Sequence, residues 1–297
     1  MDHGIEVFMN GSWFFRGFAT LAIVVVGTGG AFAQSKPRDG SNSNRKVLVE
    51  LYTSQGCDMC PAAEKMLGAL AERDRGIVPI AFHVDYFNDP WKDVFSDPLY
   101  SQRQSAYNQL YSGPKNAEYG LYYTPMMMID GERSVNGRDS APAQAAIRQA
   151  RARKPGVAID VDLGLESDGL SGTATVKVTS RSARAEKTPL LVCAVLREDS
   201  VVTDIPSGEN AGKSLVARFP ARLTKYEFVE LDGEAPATQR FPFAIKPTWD
   251  RRNLRLAVFV QDKRTGVVHQ AADLPWRSTS AAATQATSSA RTARTTR

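Results

Sequence analysis

Val47-Leu48-Val49-Glu50-Leu51-Tyr52-Thr53-Ser54-Gln55-Gly56-Cys57-Asp58-Met59-Cys60-Pro61 is the stretch on which the fold turns. Its first six residues form a short, mostly apolar run of the kind that makes a buried strand. Thr53 to Gly56 break the run, and two cysteines follow with two residues between them. Pro61 suits the first turn of a helix, where its missing N–H costs little. That helix is predicted over residues 62–73, with Met66, Leu67 and Leu70 as its apolar positions and Gly76 beyond its end. Residues 77–84 (IVPIAFHV) read as a second strand. Strand, dithiol, helix, strand is a βαβ unit.

The pattern continues outward. Pro98 opens a helix predicted to run to about residue 110. Thr124-Pro125 precedes Met126-Met127-Met128-Ile129, a third strand, and Asp130-Gly131 is a hairpin signal leading to a short strand around Ser134-Val135. Residues 141–153, rich in Ala, Gln and Arg, make a closing helix. After Lys154-Pro155-Gly156 the periodicity changes. Residues 157–163, 172–178, 189–196 and 254–262 read as strands, with a last one near 267–269. About seven short strands with turns between them point to an antiparallel sandwich. The expected fold is therefore an α/β domain over residues 46–154 followed by an all-β, sandwich-like domain over 155–277.

This element order resembles the thioredoxin fold. The blocks ELYTSQGCDMCPAAEKML (from Glu50), AFHVDYFNDPWKDVFSDPLYSQRQSAY (from Ala81), YYTPMMMIDG (from Tyr122) and GENAGKSL (from Gly208) resemble more closely one exported bacterial family. It is known as domain of unknown function 1223 (DUF1223), thioredoxin-like and without an established substrate. The resemblance runs from about Val47 to Leu274. It implies a thioredoxin-like fold and a dithiol site, and no known reaction. In thioredoxin-like proteins a proline preceded by threonine is cis and lies against the dithiol, where the backbone beside it pairs with an extended substrate. By order along the chain, Thr124 and Pro125 take that substrate-binding place.

A dithiol at a helix N-terminus has a definite chemistry. Unpaired N–H groups and the helix dipole stabilise negative charge and lower the pKa of the first sulfur. Cys57 is the expected nucleophile and Cys60, one turn in and more buried, the resolving thiol. Asp58 opposes the effect by placing a negative charge beside the thiolate. Gly56 stands where thioredoxin has tryptophan, and Asp58-Met59 where it has Gly-Pro. The leading function is thiol–disulfide exchange with protein thiols and disulfides as partners and no cofactor. Two alternatives stay open. A locked Cys57–Cys60 disulfide would make an accessory binding protein. Copper(I) on Cys57, Cys60 and His83 would make a metal-handling one. Zinc is disfavoured, because no second CxxC or HxxxH completes four ligands.

His83 and Asp85 close the second strand, on the sheet edge that carries the dithiol, and are candidate supporting residues. The methionines at 126–128 read as core filling. Asp89-Pro90-Trp91-Lys92-Asp93 and Tyr107, Tyr111, Tyr119, Tyr122 and Tyr123 form either a roof over the dithiol or a satellite cluster. Cys193 lies in an apolar run and reads as an inert buried thiol. Ser207 to Ser214 has the look of a phosphate loop but lacks its first glycine and its leading strand, so it reads as a loop packed on the first domain.

Residues 1–33 read as an export signal. Arg16 precedes an apolar run too short to span a bilayer comfortably, and Ala31-Phe32-Ala33 offers a cleavage site after Ala33. The mature protein is expected to be periplasmic or secreted, with no membrane span. Residues 34–45 read as a tether and 278–297, devoid of large apolar side chains, as a disordered tail. Of the 297 residues 42% are hydrophobic and 23% charged, ordinary globular usage with material for two cores. Thirty-seven basic against 32 acidic residues is too mild an excess to indicate nucleic acid. Three cysteines are too few for a disulfide scaffold.

Overall fold

The computed structural model describes residues 45–279 except Lys187 and Glu234; the export signal, most of the tether and the tail from residue 280 lie outside the described residues. Every residue of β1 (Val47–Thr53) is buried. Strand alternation sends these side chains to two different cores. Val47, Val49 and Leu51 pack with Ala63 and Leu67 of α1 (Cys60–Arg73), whereas Leu48 and Tyr52 point the other way. A strand apolar on both faces belongs in the middle of a sheet. Accordingly β2 (Ile77–His83) runs parallel on one side of it. α2 (Pro98–Leu110), capped by Asp97 accepting from the Leu99 amide at 2.9 Å, leads to β3 (Met126–Ile129), antiparallel on the other side. β4 (Arg133–Asn136) completes the order β2-β1-β3-β4, and α3 (Ser140–Arg151) joins α1 on the same face through Ala143, Ile147 and Ala150. The turn into β4 requires Gly131. Its φ is 68°, and a Cβ there would lie 1.8 Å from the Gly266 carbonyl oxygen.

From Val157 onward the chain is almost wholly β. β5 (Val157–Leu165) and β6 (Ser171–Ser180) form a hairpin, and one helical turn, α4 (Ala183–Glu186), leads to β7 (Leu190–Glu198). Then follow β8 (Val201–Asp204), β9 (Ser214–Ala217), β10 (Ala221–Val229), β11 (Ala237–Ala244), β12 (Leu254–Asp262) and β13 (Val268–Pro275). They assemble into antiparallel groups ordered β10-β7-β12-β13, β11-β6-β5 and β8-β9. Val176, Val178, Phe241 and Phe243 of one group share a core with Leu196, Leu256 and Val258 of another. The β-rich character is as expected, with nine strands among the described residues where about seven were anticipated. β8 and β9 are only four residues long, β10 carries Lys225 and Glu227, and β11 contains Pro242. The proline is tolerated because β11 is an edge strand.

A third cluster joins the halves. Leu48, Phe82 and Met128 of the first sheet meet Cys193, Val195 and Phe259 of the second. Within this layer Glu50 accepts from Arg103 Nε and the Tyr107 hydroxyl, both at 2.6 Å. Two terminal expectations shift by a residue or two. Arg45, expected at the end of a tether, is buried; it pairs with Asp130 and donates to the Ala150 carbonyl at 3.0 Å. Thr279, expected in the tail, exchanges two hydrogen bonds with Leu163. In both cases the flanking segment adds a donor to an acceptor of the fold, Arg45 to Asp130 and the Thr279 amide to the Leu163 carbonyl.

Candidate functional site

The parallel register places Thr53 beside His83 at the ends of β1 and β2. The chain then turns through residues 54–59 and enters α1 at Cys60, so both thiols sit at the helix N-terminus. The Cys57 amide donates to the Ser54 carbonyl and the Cys60 amide to the Cys57 carbonyl, both at 3.2 Å. Met59, at the N-cap, supplies no side-chain cap. First-turn amides are thus left for the sulfur. Both cysteines are free thiols.

Their acidities diverge. A hydrogen bond from the Cys60 thiol lowers the Cys57 pKa; burial opposes it, and Thr124 with the amides of Met59 and Cys60 adds to the lowering. The result is about 7 instead of the ordinary 9.0. Burial pushes Cys60 well above the ordinary range, and its hydrogen bond to Cys57 pushes the same way. One sulfur is therefore favoured as thiolate and the other as thiol. Burial weighs more on Cys60 than on Cys57, yet both thiols are closed to solvent. Cys57 is 1% exposed and Cys60 0%, because the loop that carries them is covered from several sides. The Thr124–Pro125 bond is cis, and the buried Thr124 hydroxyl has no nitrogen or oxygen partner, which leaves it to the Cys57 sulfur.

Behind Cys60 lies a buried polar chain that neither periodicity nor residue spacing reveals. The Thr53 hydroxyl is hydrogen-bonded to the Cys60 sulfur and reaches Glu64 Oε1 at 3.1 Å. Glu64 Oε1 is 3.8 Å from His83 Nε2, and His83 Nδ1 is 2.7 Å from Asp93 Oδ2. Asp93 returns to the dithiol loop by accepting from the Gln55 amide at 2.7 Å. Burial raises the Glu64 pKa, and the pull of His83 does not cancel it. For His83 burial acts downward, but Asp93 together with Glu64 outweighs it and the pKa is raised; for Asp93 burial acts upward, but His83 together with the amides of Gln55 and Phe95 outweighs it and the pKa is lowered. His83 and Asp93 thus favour the ion pair, while burial makes the Glu64 carboxylate more basic than an exposed one.

The second half closes on the same loop. Between β8 and β9, Asn210 is fully buried and its Nδ2 donates to the carbonyls of Gln55 at 2.8 Å and Cys57 at 2.9 Å. Lys213 Nζ holds Asn210 Oδ1 at 2.8 Å, and Glu209 Oε2 accepts from the Asp58 amide at 2.8 Å. The segment read as a failed phosphate loop does pack on the first half.

Not every candidate converges. Asp85 turns to α2, where it accepts from the Ser101 hydroxyl, and touches neither His83 nor a cysteine in the hydrogen bonds of the described residues. His83 faces Asp93 and Glu64 instead of the thiols, and no group of three His, Cys, Asp or Glu side chains able to hold a metal ion occurs among the described residues. The copper arrangement of Cys57, Cys60 and His83 is thus not formed. Tyr107 and Tyr111 are core residues, while Tyr86 and Tyr122 stack at 4.5 Å on the surface. Cys193 is an inert thiol, its pKa pushed up by burial to about 12. Glu64 carried a faint signal, a charge on the apolar face of α1 with Cys60, Ala63 and Leu67. Asp93 and Asn210 lie in loops whose path no periodicity describes.

Comparison with known proteins places this geometry among relatives. A family model described as "Protein of unknown function (DUF1223)" matches residues 48–261. Thioredoxin of Methanocaldococcus jannaschii is 30% identical over 105 residues, covering 35% of this chain and 92% of that protein. Among solved structures, a protein of Agrobacterium tumefaciens superposes with a TM-score of 0.56 at 18% identity, covering 80% of this chain and 96% of that one. HBP35 of Porphyromonas gingivalis gives 0.60 at 14% identity, covering 78% and 75%.

Proposed function

We propose that this chain, which belongs to the DUF1223 family, is an exported, periplasmic or secreted protein that exchanges disulfides with protein thiols through Cys57 and Cys60. In this reading its first half is a thioredoxin-like domain and its second a β-sandwich-like domain. Similarity to a thioredoxin supports the first part, and no helix among the described residues is long and apolar enough to cross a membrane. The observation that carries the chemistry is the opposed pair of thiol acidities. Thiolates attack disulfides, and a thiol titrating near ambient pH is the best attacker.

The Cys57 thiolate attacks one sulfur of a substrate disulfide. A bond forms between those two sulfurs, the substrate S–S bond breaks, and the departing sulfur leaves with the electron pair and takes a proton. Cys60 then gives its proton through the Thr53 hydroxyl to Glu64, attacks the Cys57 sulfur and releases the second substrate thiolate. The protein ends as a Cys57–Cys60 disulfide, oxidised by two electrons, and the substrate as two thiols. The reverse sequence oxidises a substrate dithiol. Thr124 steadies the thiolate, and the backbone beside Pro125 offers an edge for an extended substrate.

The test is trapping. Cys60→Ser protein mixed with a disulfide-linked peptide accumulates a covalent adduct at Cys57, and Cys57→Ser protein accumulates none; an equal adduct in both variants refutes the assignment. The burial of Cys57 favours a second reading, an accessory protein with a permanent disulfide. A reduction potential below about −300 mV selects that reading over the first.

A further inference from the structure

Between the outer side of α2 and strands β7, β10 and β12 lies a cavity of about 350 Å³. That is large enough to enclose a small organic molecule. Phe82, Tyr100, Leu191, Cys193, Tyr226 and Phe228 give it apolar walls. Alternation along β10 builds one of them. Thr224, Tyr226 and Phe228 face the cavity, whereas Leu223 packs on the core between the two antiparallel sheets. At the rim Tyr226 and Phe228 are 46% and 53% exposed, with Leu110 at 38% across from them. Large apolar side chains gathered in the open around a concavity mark a binding site more often than chance.

The charges at this site are not equivalent. Arg103 is fully engaged, with Nε on Glu50, Nη1 on Gln261 at 3.1 Å and Nη2 on the Tyr107 hydroxyl at 3.1 Å. Asp262 also lines the cavity but is buried and accepts from the amides of Arg264 at 2.8 Å and Thr265 at 3.0 Å. Lys263 is different. Its Nζ stands 4.5 Å from the centre of the Phe228 ring, and it has no carboxylate partner among the described residues. A cation at the mouth of an apolar hollow recognises an anion on an apolar body.

We propose that this cavity binds a small amphipathic anion, its hydrocarbon or aryl group among Phe82, Leu191 and Tyr226 and its carboxylate or sulfonate at Lys263 Nζ. The full chain is titrated with 8-anilinonaphthalene-1-sulfonate by fluorescence, and decanoate and decanol are then used to displace it. Saturable binding tighter than about 1 mM is expected. Lys263→Glu weakens decanoate about tenfold and leaves decanol within about twofold. Ala106→Trp, on the exposed side of α2 at the rim, blocks both ligands. Both substitutions are at exposed positions, which keeps the fold out of the comparison. Absence of saturable displacement, or unchanged affinity in Ala106→Trp, overturns the site. Equal effects of Lys263→Glu on decanoate and decanol overturn the assignment of an anion.

Discussion

Replacing Asn210 with alanine removes the hold of the second half on the dithiol loop. The side chain is fully buried and its amide serves two carbonyls, those of Gln55 and Cys57. A buried acceptor left without its donor costs about 1–3 kcal/mol, and Lys213 loses its acceptor at the same time. Partial relaxation and water entry bring the combined effect to about 2–4 kcal/mol. At about 1.4 kcal/mol per decade, opening of the loop becomes roughly 30- to 1000-fold more frequent. Since Cys57 is 1% exposed, a small alkylating reagent reaches it through such openings. Iodoacetamide labelling of the reduced protein, followed by peptide mass mapping, is therefore expected to speed up by that factor at Cys57 in Asn210→Ala. The urea midpoint falls in the same variant. A labelling rate within about twofold of the parent, with an unchanged midpoint, would refute the clamp.

Three further outcomes test the buried chain and the reactive thiol. Glu64→Gln removes the acceptor for the Cys60 proton, so release of a preformed mixed disulfide by Cys60 slows by roughly 10²-fold while labelling of Cys57 changes little; equal effects on both steps would rule out the relay. His83→Ala leaves Asp93 buried beside a cavity and costs about 3–5 kcal/mol in urea unfolding. Because the His83 pKa is raised above 6.5, its contribution is complete below about pH 6.5 and fades as pH rises through the folded value, so the deficit is larger at about pH 6 than at about pH 9. A deficit that grows with pH contradicts the His83–Asp93 ion pair. Cys193→Ala leaves disulfide exchange within about twofold of the parent, since that thiol is buried and its pKa is pushed up to about 12.

The first sheet was legible because its residues carry their instructions locally. β1 and β2 are mostly apolar runs, Gly131 marks a turn no other residue fits, and Pro61 and Pro98 begin helices. The dithiol was equally plain, since two cysteines before a helix need no partner from elsewhere in the chain to be recognised. Their surroundings were not. His83 and Asp85 are two residues apart and would share a face if the strand continued, but β2 ends at His83, so His83 faces Asp93 in the core while Asp85, past the strand end, turns to Ser101 on α2. Asn210 acts from 153 positions away, through a contact that only the packing of β8 and β9 creates. β10 and β11 escaped notice because edge strands need not be apolar on both faces.

The claim on which the chemistry rests is that Cys57 ionises near neutrality under the hydrogen bonds of Cys60, Thr124 and the first turn of α1. Its rate of carboxamidomethylation in the reduced protein, measured by mass mapping across pH, tests this directly. A midpoint at about 7 is expected, with Cys60 unlabelled throughout that range. A midpoint at about 9, that of an unperturbed thiol, contradicts it.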